Sequence, residues 1–291
     1  TTTIRMLVTL LKPTSGSAEV WGHDILKERD EVRRSIGIVF QDPSLDGLLT
    51  GRENMDFHGR IYGISKARRQ ERIKELLDLA QLLERADDLV QTYSGGMKRR
   101  LEIARGLMHQ PNILFLDEPT LGLDPQNRRV VWSYIQRLNK QEDVTVFLTT
   151  HYMEEADFLC DRVAIIDHGK IVALDTCNNL KERVGGDVVL LRISDANAKV
   201  LDAFREEEFV HDLKLVKGSL VFTVNDGERA VPQLIEVARQ VGVSVEECSI
   251  RKPNLEDVFI HYTGRRIRDE FEKPVSKAMR MGGRTTRQRR G

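Results

Sequence analysis

The chain has 291 residues, with 45 Lys or Arg balanced by 45 Asp or Glu and a hydrophobic content of 40%. That is enough apolar material for one or two packed cores, and it excludes collagen-like and wholly disordered chains. No apolar run approaches the roughly 18 to 20 residues of a membrane-spanning helix, so a chain that does not cross a bilayer by itself is expected.

The first residues, Thr1 to Leu7, show neither an initiator Met nor a basic region leading into an apolar one, and read as a chain that either begins part-way through a gene product or has been cut. Ile4, Leu7, Leu10 and Leu11 make a helical stripe that stops at Lys12-Pro13. Up to about residue 182, short apolar runs alternate with helical patterns, as in parallel α/β folds. The runs Ile36 to Phe40, Ile113 to Leu116, Val144 to Leu148 and Val163 to Ile166 suit strands covered on both faces of a parallel sheet. Between the first two, a charged, helix-rich insert from about Leu45 to His109 predicts a helical subdomain.

A second pattern starts near Gly186. Val188 to Ile193 predicts a strand and Asn197 to Glu207 a helix. Leu213 to Val216 and Leu220 to Val224 predict a hairpin turning at Lys217-Gly218-Ser219. Glu228 to Val241 then predicts a helix and Val243 to Ile250 a strand. This β-α-β-β-α-β order is the ferredoxin-like arrangement, so two domains are expected, 1–182 and 187–263, joined near Glu182 to Gly186. From Gly264 onward ten Lys or Arg face three acids with no apolar periodicity, which reads as a basic, disordered tail over 264–291. Cys160, Cys177 and Cys248 lack zinc or disulfide spacing and read as reduced thiols of a cytosolic protein.

The chemistry concentrates at two places. Asp117-Glu118-Pro119 closes an apolar strand, where open α/β sheets bind ligands. Adjacent acids there divide labour, Asp117 holding a magnesium ion and Glu118 orienting and deprotonating a water; alone, such a pair equally well solvates a strand end. Upstream, Tyr93-Ser94-Gly95-Gly96-Met97 opens a helix whose apolar stripe is Leu101, Ile103, Ala104, Leu107 and Met108. A capping Ser with two glycines leaves N–H groups uncovered before the positive end of the helix dipole, an anion site suited to phosphate.

The set Val39-Phe40-Gln41-Asp42-Pro43, Ser94-Gly95-Gly96-Met97-Lys98-Arg99-Arg100, Leu116-Asp117-Glu118-Pro119-Thr120, Leu121-Gly122-Leu123-Asp124-Pro125 and Thr149-Thr150-His151 resembles the nucleotide-binding subunits of ABC transporters. Pro253-Asn254-Leu255-Glu256-Asp257-Val258-Phe259 extends the resemblance to the tail domain of drug-exporter ATPases of the daunorubicin-resistance type. The resemblance implies a P-loop NTPase-like parallel sheet with a helical subdomain, plus the small α+β domain. It implies ATP and Mg2+ as cofactors and Gln41 as the glutamine sensing magnesium and the attacking water. Ser94, Gly95 and Gly96 become the signature that closes on the γ-phosphate bound by a second copy. Asp117 is then the magnesium-binding acid, Glu118 the catalytic base, Asp124 an acid at the dimer interface and His151 the switch histidine.

The Gly-rich loop and its Lys are absent from the sequence, and Thr1-Thr2-Thr3-Ile4 resembles the segment directly after that Lys. Thr1 then supplies a magnesium-binding hydroxyl and Thr2 lies near the α-phosphate. The literal chain is expected to bind ATP poorly and to hydrolyse it hardly at all, as an N-terminally truncated form of an active protein. Met97 stands where many members have Gln, a change that leaves phosphate contacts to Ser94 and backbone amides.

The implied function is an ATPase subunit acting as a homodimer on the cytoplasmic face of the membrane. It would power export of a drug, lipid or other hydrophobic compound through a separate transmembrane permease that docks on Leu45 to Tyr62. No specific nucleic acid is expected. The competing reading is a soluble ATPase of the same type acting on ribosomes or nucleic acid through its Arg-rich tail; a third is a regulatory module without catalysis.

Overall fold

The computed structural model describes residues 1–194, 198–216 and 219–264. The chain divides into two compact units, Thr1–Leu159 and Cys160–Gly291. In chain order the first contains α1 (Thr2–Leu7), β1 (Glu19–Val20), β2 (His23–Asp24), α2 (Arg29–Ser35), β3 (Ile36–Val39), α3 (Gly51–Ile61), α4 (Lys66–Leu79), α5 (Gly95–Gly106), β4 (Ile113–Asp117), α6 (Pro125–Glu142), β5 (Thr145–Thr149) and α7 (Met153–Leu159). The second contains β6 (Arg162–Asp167), β7 (Lys170–Thr176), α8 (Cys177–Val184), β8 (Asp187–Ile193), α9 (Ala198–Arg205), β9 (Val210–Val216), β10 (Ser219–Val224), α10 (Gly227–Gln240), β11 (Val245–Arg251) and α11 (Leu255–Thr263). The division falls ahead of the sequence-derived junction near Glu182, so the β6–β7 hairpin and α8 group with the second unit.

Three of the four apolar runs form the expected parallel sheet, in the order β3-β4-β5. Its register sets Val39 beside Leu116, Leu116 beside Leu148 and Asp117 beside Thr149. The carboxyl ends of all three strands therefore emerge side by side, and each leads into one of the singled-out motifs. The fourth run differs: β6 pairs antiparallel with β7. His168 and Gly169 both take positive φ, 45° and 75°, which makes a two-residue hairpin turn that reverses the chain where a crossover would have kept it parallel.

The helical insert shares one continuous core with the sheet. Ile73 and Leu76 of α4, Leu101 and Ile103 of α5, Leu114 and Leu116 of β4 and Tyr134 and Leu138 of α6 are buried together. At roughly 1.5 to 3 kcal/mol for each large apolar side chain buried, that cluster binds insert and sheet into one body.

The first helix ends earlier than its stripe predicts. Thr9 takes φ 65°, and the Leu10 and Leu11 amides both turn back to the Arg5 carbonyl at 2.9 Å. A β-branched residue in that conformation is unfavourable. It is held by Arg29 donating to the Thr9 carbonyl at 2.7 Å and Arg33 donating to its hydroxyl at 2.9 Å. Leu10 and Leu11 consequently lie exposed.

In the second unit the four antiparallel strands run β11-β8-β10-β9, the order expected for β-α-β-β-α-β. Val189, Leu191, Leu220 and Phe222 on the sheet meet Phe204 of α9 and Leu234 of α10 in its core. The Lys217-Gly218 turn, the Asn197 helix start and the tail from 265 lie outside the described residues. Asn254 caps α11 through a reciprocal capping box with Asp257, and α11 packs on α8.

Candidate nucleotide site

Asp117 is the last residue of β4 and is buried, 2% exposed. Its Oδ1 accepts from the Thr1 hydroxyl at 3.0 Å and from the Thr149 hydroxyl at 2.6 Å. A buried carboxylate needs such donors or a cation to replace water. The same Thr149 oxygen accepts from the Glu118 amide at 3.3 Å, and the Thr149 carbonyl accepts from that amide at 3.1 Å. Thr149 thereby locks the turn after β4 to the end of β5.

Glu118 adopts φ 51°. A left-handed glutamate is strained by about 1 to 3 kcal/mol and persists only where its surroundings enforce it. The conformation turns its side chain back toward the end of β5, where its Oε2 meets His151 Nδ1 at 2.9 Å. The His151 ring packs on Tyr152 with centroids 4.1 Å apart, and the Arg128 guanidinium lies over the Tyr152 ring, 3.8 Å from its centre.

The singled-out residues fall into groups. Thr1, Asp117, Glu118 and His151 are brought together. Gln41 lies just beyond the end of β3, on the exposed loop alongside, and Thr2 is exposed in the first turn of α1. Ser94, Gly95, Gly96 and Asp124 form a second cluster. Ser94 caps α5 by accepting from the Met97 amide at 3.3 Å. A Cβ on Gly96 would lie 2.7 Å from Asn127 Oδ1, so only glycine lets that amide lie against the helix start. Asn127 donates to Asp124 at 2.6 Å, and Asp124 also caps α6 through the Gln126 and Asn127 amides, both at 3.1 Å. The Asn127 side chain and backbone hold the Asp124 carboxyl below the usual carboxylate range. Among the described residues no hydrogen bond joins Ser94, Gly95 or Gly96 to Asp117 or Glu118.

The sequence pattern assigns no role to several residues that the structure places at the site. Thr149 sits within a recognised motif, but its bridging position is not visible there. Arg99 and Glu102 are hidden because a charged pair one helical turn apart usually faces solvent, yet both are buried here. Glu155, fully buried, accepts from the Thr120 hydroxyl at 2.7 Å and from the Trp132 indole at 2.8 Å. It ties α7, just beyond His151, to the chain just past Glu118.

On the insert, α3 presents Phe57 and Ile61 to solvent at 60% and 64% exposure, one turn apart, and Leu48 ahead of the helix is 76% exposed. At the end of α3 Tyr62 stacks on His109 with centroids 3.8 Å apart, and His58 leans on Tyr62 at 5.0 Å. His109 donates from Nε2 to the Ile36 carbonyl at 2.9 Å. Burial, followed by the Arg105 charge and His109, lowers the His58 pKa to about 4. Since the folded protein resists protonation that the unfolded chain accepts near pH 6.5, stability is complete above about pH 6.5 and is lost as pH falls toward 4. Urea melts should show a decline of about 3 kcal/mol over that window, and His58→Gln should reduce it.

A parallel sheet with two acids at its carboxyl edge, a histidine on one of them, and a separate serine-capped glycine helix start form an α/β arrangement suited to nucleotide handling. Comparison with known proteins makes this specific. Residues 1–121 match the ABC transporter family model, and residues 176–263 match the C-terminal domain of DrrA1-3-like ATP-binding proteins. The chain is 39% identical to the linearmycin resistance ATP-binding protein LnrL of Bacillus subtilis, over 92% of its own length and 87% of that protein. With the daunorubicin/doxorubicin resistance ATP-binding protein DrrA of Streptomyces peucetius it shares 42% identity, over 90% and 80% of the two chains.

Among solved structures, cbiO1 of Clostridium perfringens, part of an ABC transporter complex, superposes with TM-score 0.58 and 27% identity, over 63% of this chain and 76% of that one. A dimeric ATP-binding cassette in a post-hydrolysis state with ADP and Pi superposes with TM-score 0.53 and 29% identity, over 60% and 79%. The chain belongs to the ABC transporter family as an ATP-binding subunit.

Proposed function

We propose that the protein hydrolyses ATP to drive export of a drug, lipid or other hydrophobic compound through a separate membrane permease. The observation that carries the catalytic part is the Glu118–His151 contact beside the buried Asp117. Asp117 and the Thr1 hydroxyl, with the Gln41 amide oxygen, would offer a hard, all-oxygen set of the kind that suits Mg2+. Among the described residues no group of three or more His, Cys, Asp or Glu side chains could hold a metal. An ion that takes most of its ligands from phosphate and water needs no such cage. When bound, magnesium would neutralise charge on the phosphate oxygens.

In this reading Glu118 accepts the proton of the attacking water, and His151 keeps that carboxylate aimed while contacting the γ-phosphate. Thr1 and Thr2 serve the bound nucleotide, and Gln41 senses magnesium and the water. In-line displacement needs positioning and charge neutralisation more than covalent chemistry. Ser94, Gly95 and Gly96, which make no hydrogen bond to Asp117 or Glu118 among the described residues, serve the nucleotide of a second copy, with Asp124 at the shared face. The dimeric cassette among the structural relatives supports this. The nucleotide chemistry belongs to residues 1–182 and an accessory role in assembly to 187–263.

Among the described residues no helix is long and apolar enough to cross a membrane, so in this reading the subunit sits peripherally, at the cytoplasmic face. The exposed Leu48, Phe57 and Ile61 offer the docking surface on the insert. The names of the relatives, resistance and export ATP-binding proteins, favour export. The test is co-purification from membranes. The wild-type chain should bring down a polytopic membrane protein, and Phe57→Asp with Ile61→Asp should lose it at least tenfold while keeping the same unfolding midpoint. Recovery of ribosomes or nucleic acid in its place would support the competing reading.

A further inference from the structure

The loop that carries Gln41 and the backbone of the acid pair meet at one guanidinium, carried on the helix that Ser94 caps. Arg99 lies five residues after Ser94 on α5 and is buried, 7% exposed. Its Nε donates to the Pro119 carbonyl at 2.6 Å. Its Nη2 donates to the Asp117 and Glu118 carbonyls at 3.1 and 3.2 Å, and its Nη1 donates to the Phe40 carbonyl at 2.6 Å. Nη1 also reaches Glu102 Oε2 at 3.1 Å, and the other oxygen of Glu102 accepts from the Ser44 amide at 2.7 Å. Two side chains on one helix therefore hold the backbone on both sides of Gln41 and three consecutive carbonyls around Glu118.

A buried ion pair is a poor device for stability alone, since desolvation offsets most of its attraction. What this pair does is geometric. The planar fork of arginine presents five N–H donors in fixed directions, and here they are aimed at carbonyls of the two segments that carry the proposed chemistry. The Glu118 carbonyl is one of them, so the left-handed conformation that directs the Glu118 carboxylate toward His151 is pinned from α5.

We propose that Arg99 and Glu102 are a positioning pair that makes the Gln41 loop, the Asp117–Glu118 turn and the Ser94 helix start move as one body. A displacement at the insert, where the permease docks, then reaches the catalytic base without a separate relay. The inference rests on the role proposed above for Glu118.

The test is ATP turnover per bound nucleotide in the assembled transporter, measured with nucleotide affinity. Arg99→Lys keeps the charge but reaches only some of the four carbonyls. Turnover per bound nucleotide should fall about 10- to 100-fold, with the dissociation constant for ATP within about threefold of wild type. Glu102→Gln should fall less, about 3- to 10-fold, because its amide oxygen still accepts from Ser44.

A merely structural role would lower the amount of folded protein and leave turnover per bound nucleotide unchanged, and that result overturns the proposal. Where Arg99→Lys yields no folded protein, unchanged turnover in Glu102→Gln does the same. Full hydrolysis in Glu118→Gln overturns the base assignment and this proposal with it. Full turnover in Arg99→Lys beside an inactive Glu118→Gln overturns the positioning role alone.

Discussion

Glu118→Gln should lower ATP turnover in the assembled transporter about 100- to 10,000-fold while leaving ATP affinity within a few-fold of wild type. The substitution is nearly isosteric, so it keeps the left-handed turn, the Thr149 anchor on its amide and a polar contact to His151. What it removes is the capacity to take a proton from water. An interaction made only in the transition state lowers turnover without changing ground-state binding. Single-turnover phosphate release checks this directly. Retention of more than a tenth of wild-type turnover would mean that Glu118 is not the base.

Gly186→Ala should destabilise the second unit by about 3 kcal/mol or more. Gly186 has φ 56°, and a Cβ built there lands on the Val224 carbonyl oxygen. The left-handed conformation already disfavours alanine, and the collision is with backbone, which cannot swing aside. The neighbouring pairing depends on this approach: Asp187 opposes Val224 across β8 and β10, and its carboxylate accepts from the Gly227 amide at 3.0 Å and from Lys252 at 2.6 Å. Both tryptophans, Trp21 and Trp132, lie in the first unit, so backbone circular dichroism or amide exchange in β8 and β10 is the measurement. A loss below about 1 kcal/mol would show that the sheet shifts to admit the methyl group.

Much of this architecture is legible in the sequence because it is written in local patterns. The runs at Ile36, Ile113 and Val144 become adjacent parallel strands, and the later alternation becomes a four-stranded sheet in the expected order. The Ser94 cap is legible for the same reason, since capping is an exchange among residues two or three apart. Pattern and structure part where one residue's conformation overrides the periodicity. Thr9 stops α1 before Leu10 because two arginines from α2 reward its unusual backbone. Val163 to Ile166 has the composition of a buried parallel strand, but the two positive-φ residues after it make a hairpin.

By itself the sequence determined that Asp117 and Glu118 would stand at the carboxyl end of a strand and that Ser94 would cap a helix, because strand ends, caps and adjacent acids are properties of neighbouring residues. Only the tertiary structure decided how they are held: Thr149 bridging Asp117 to the Glu118 amide, Glu155 joining Thr120 to Trp132, and Arg99 with Glu102 clasping two loops. Those bonds span 18 to 59 residues of chain. A hydrogen bond between groups that distant forms only after packing has brought their segments together and excluded water, so no local pattern announces it.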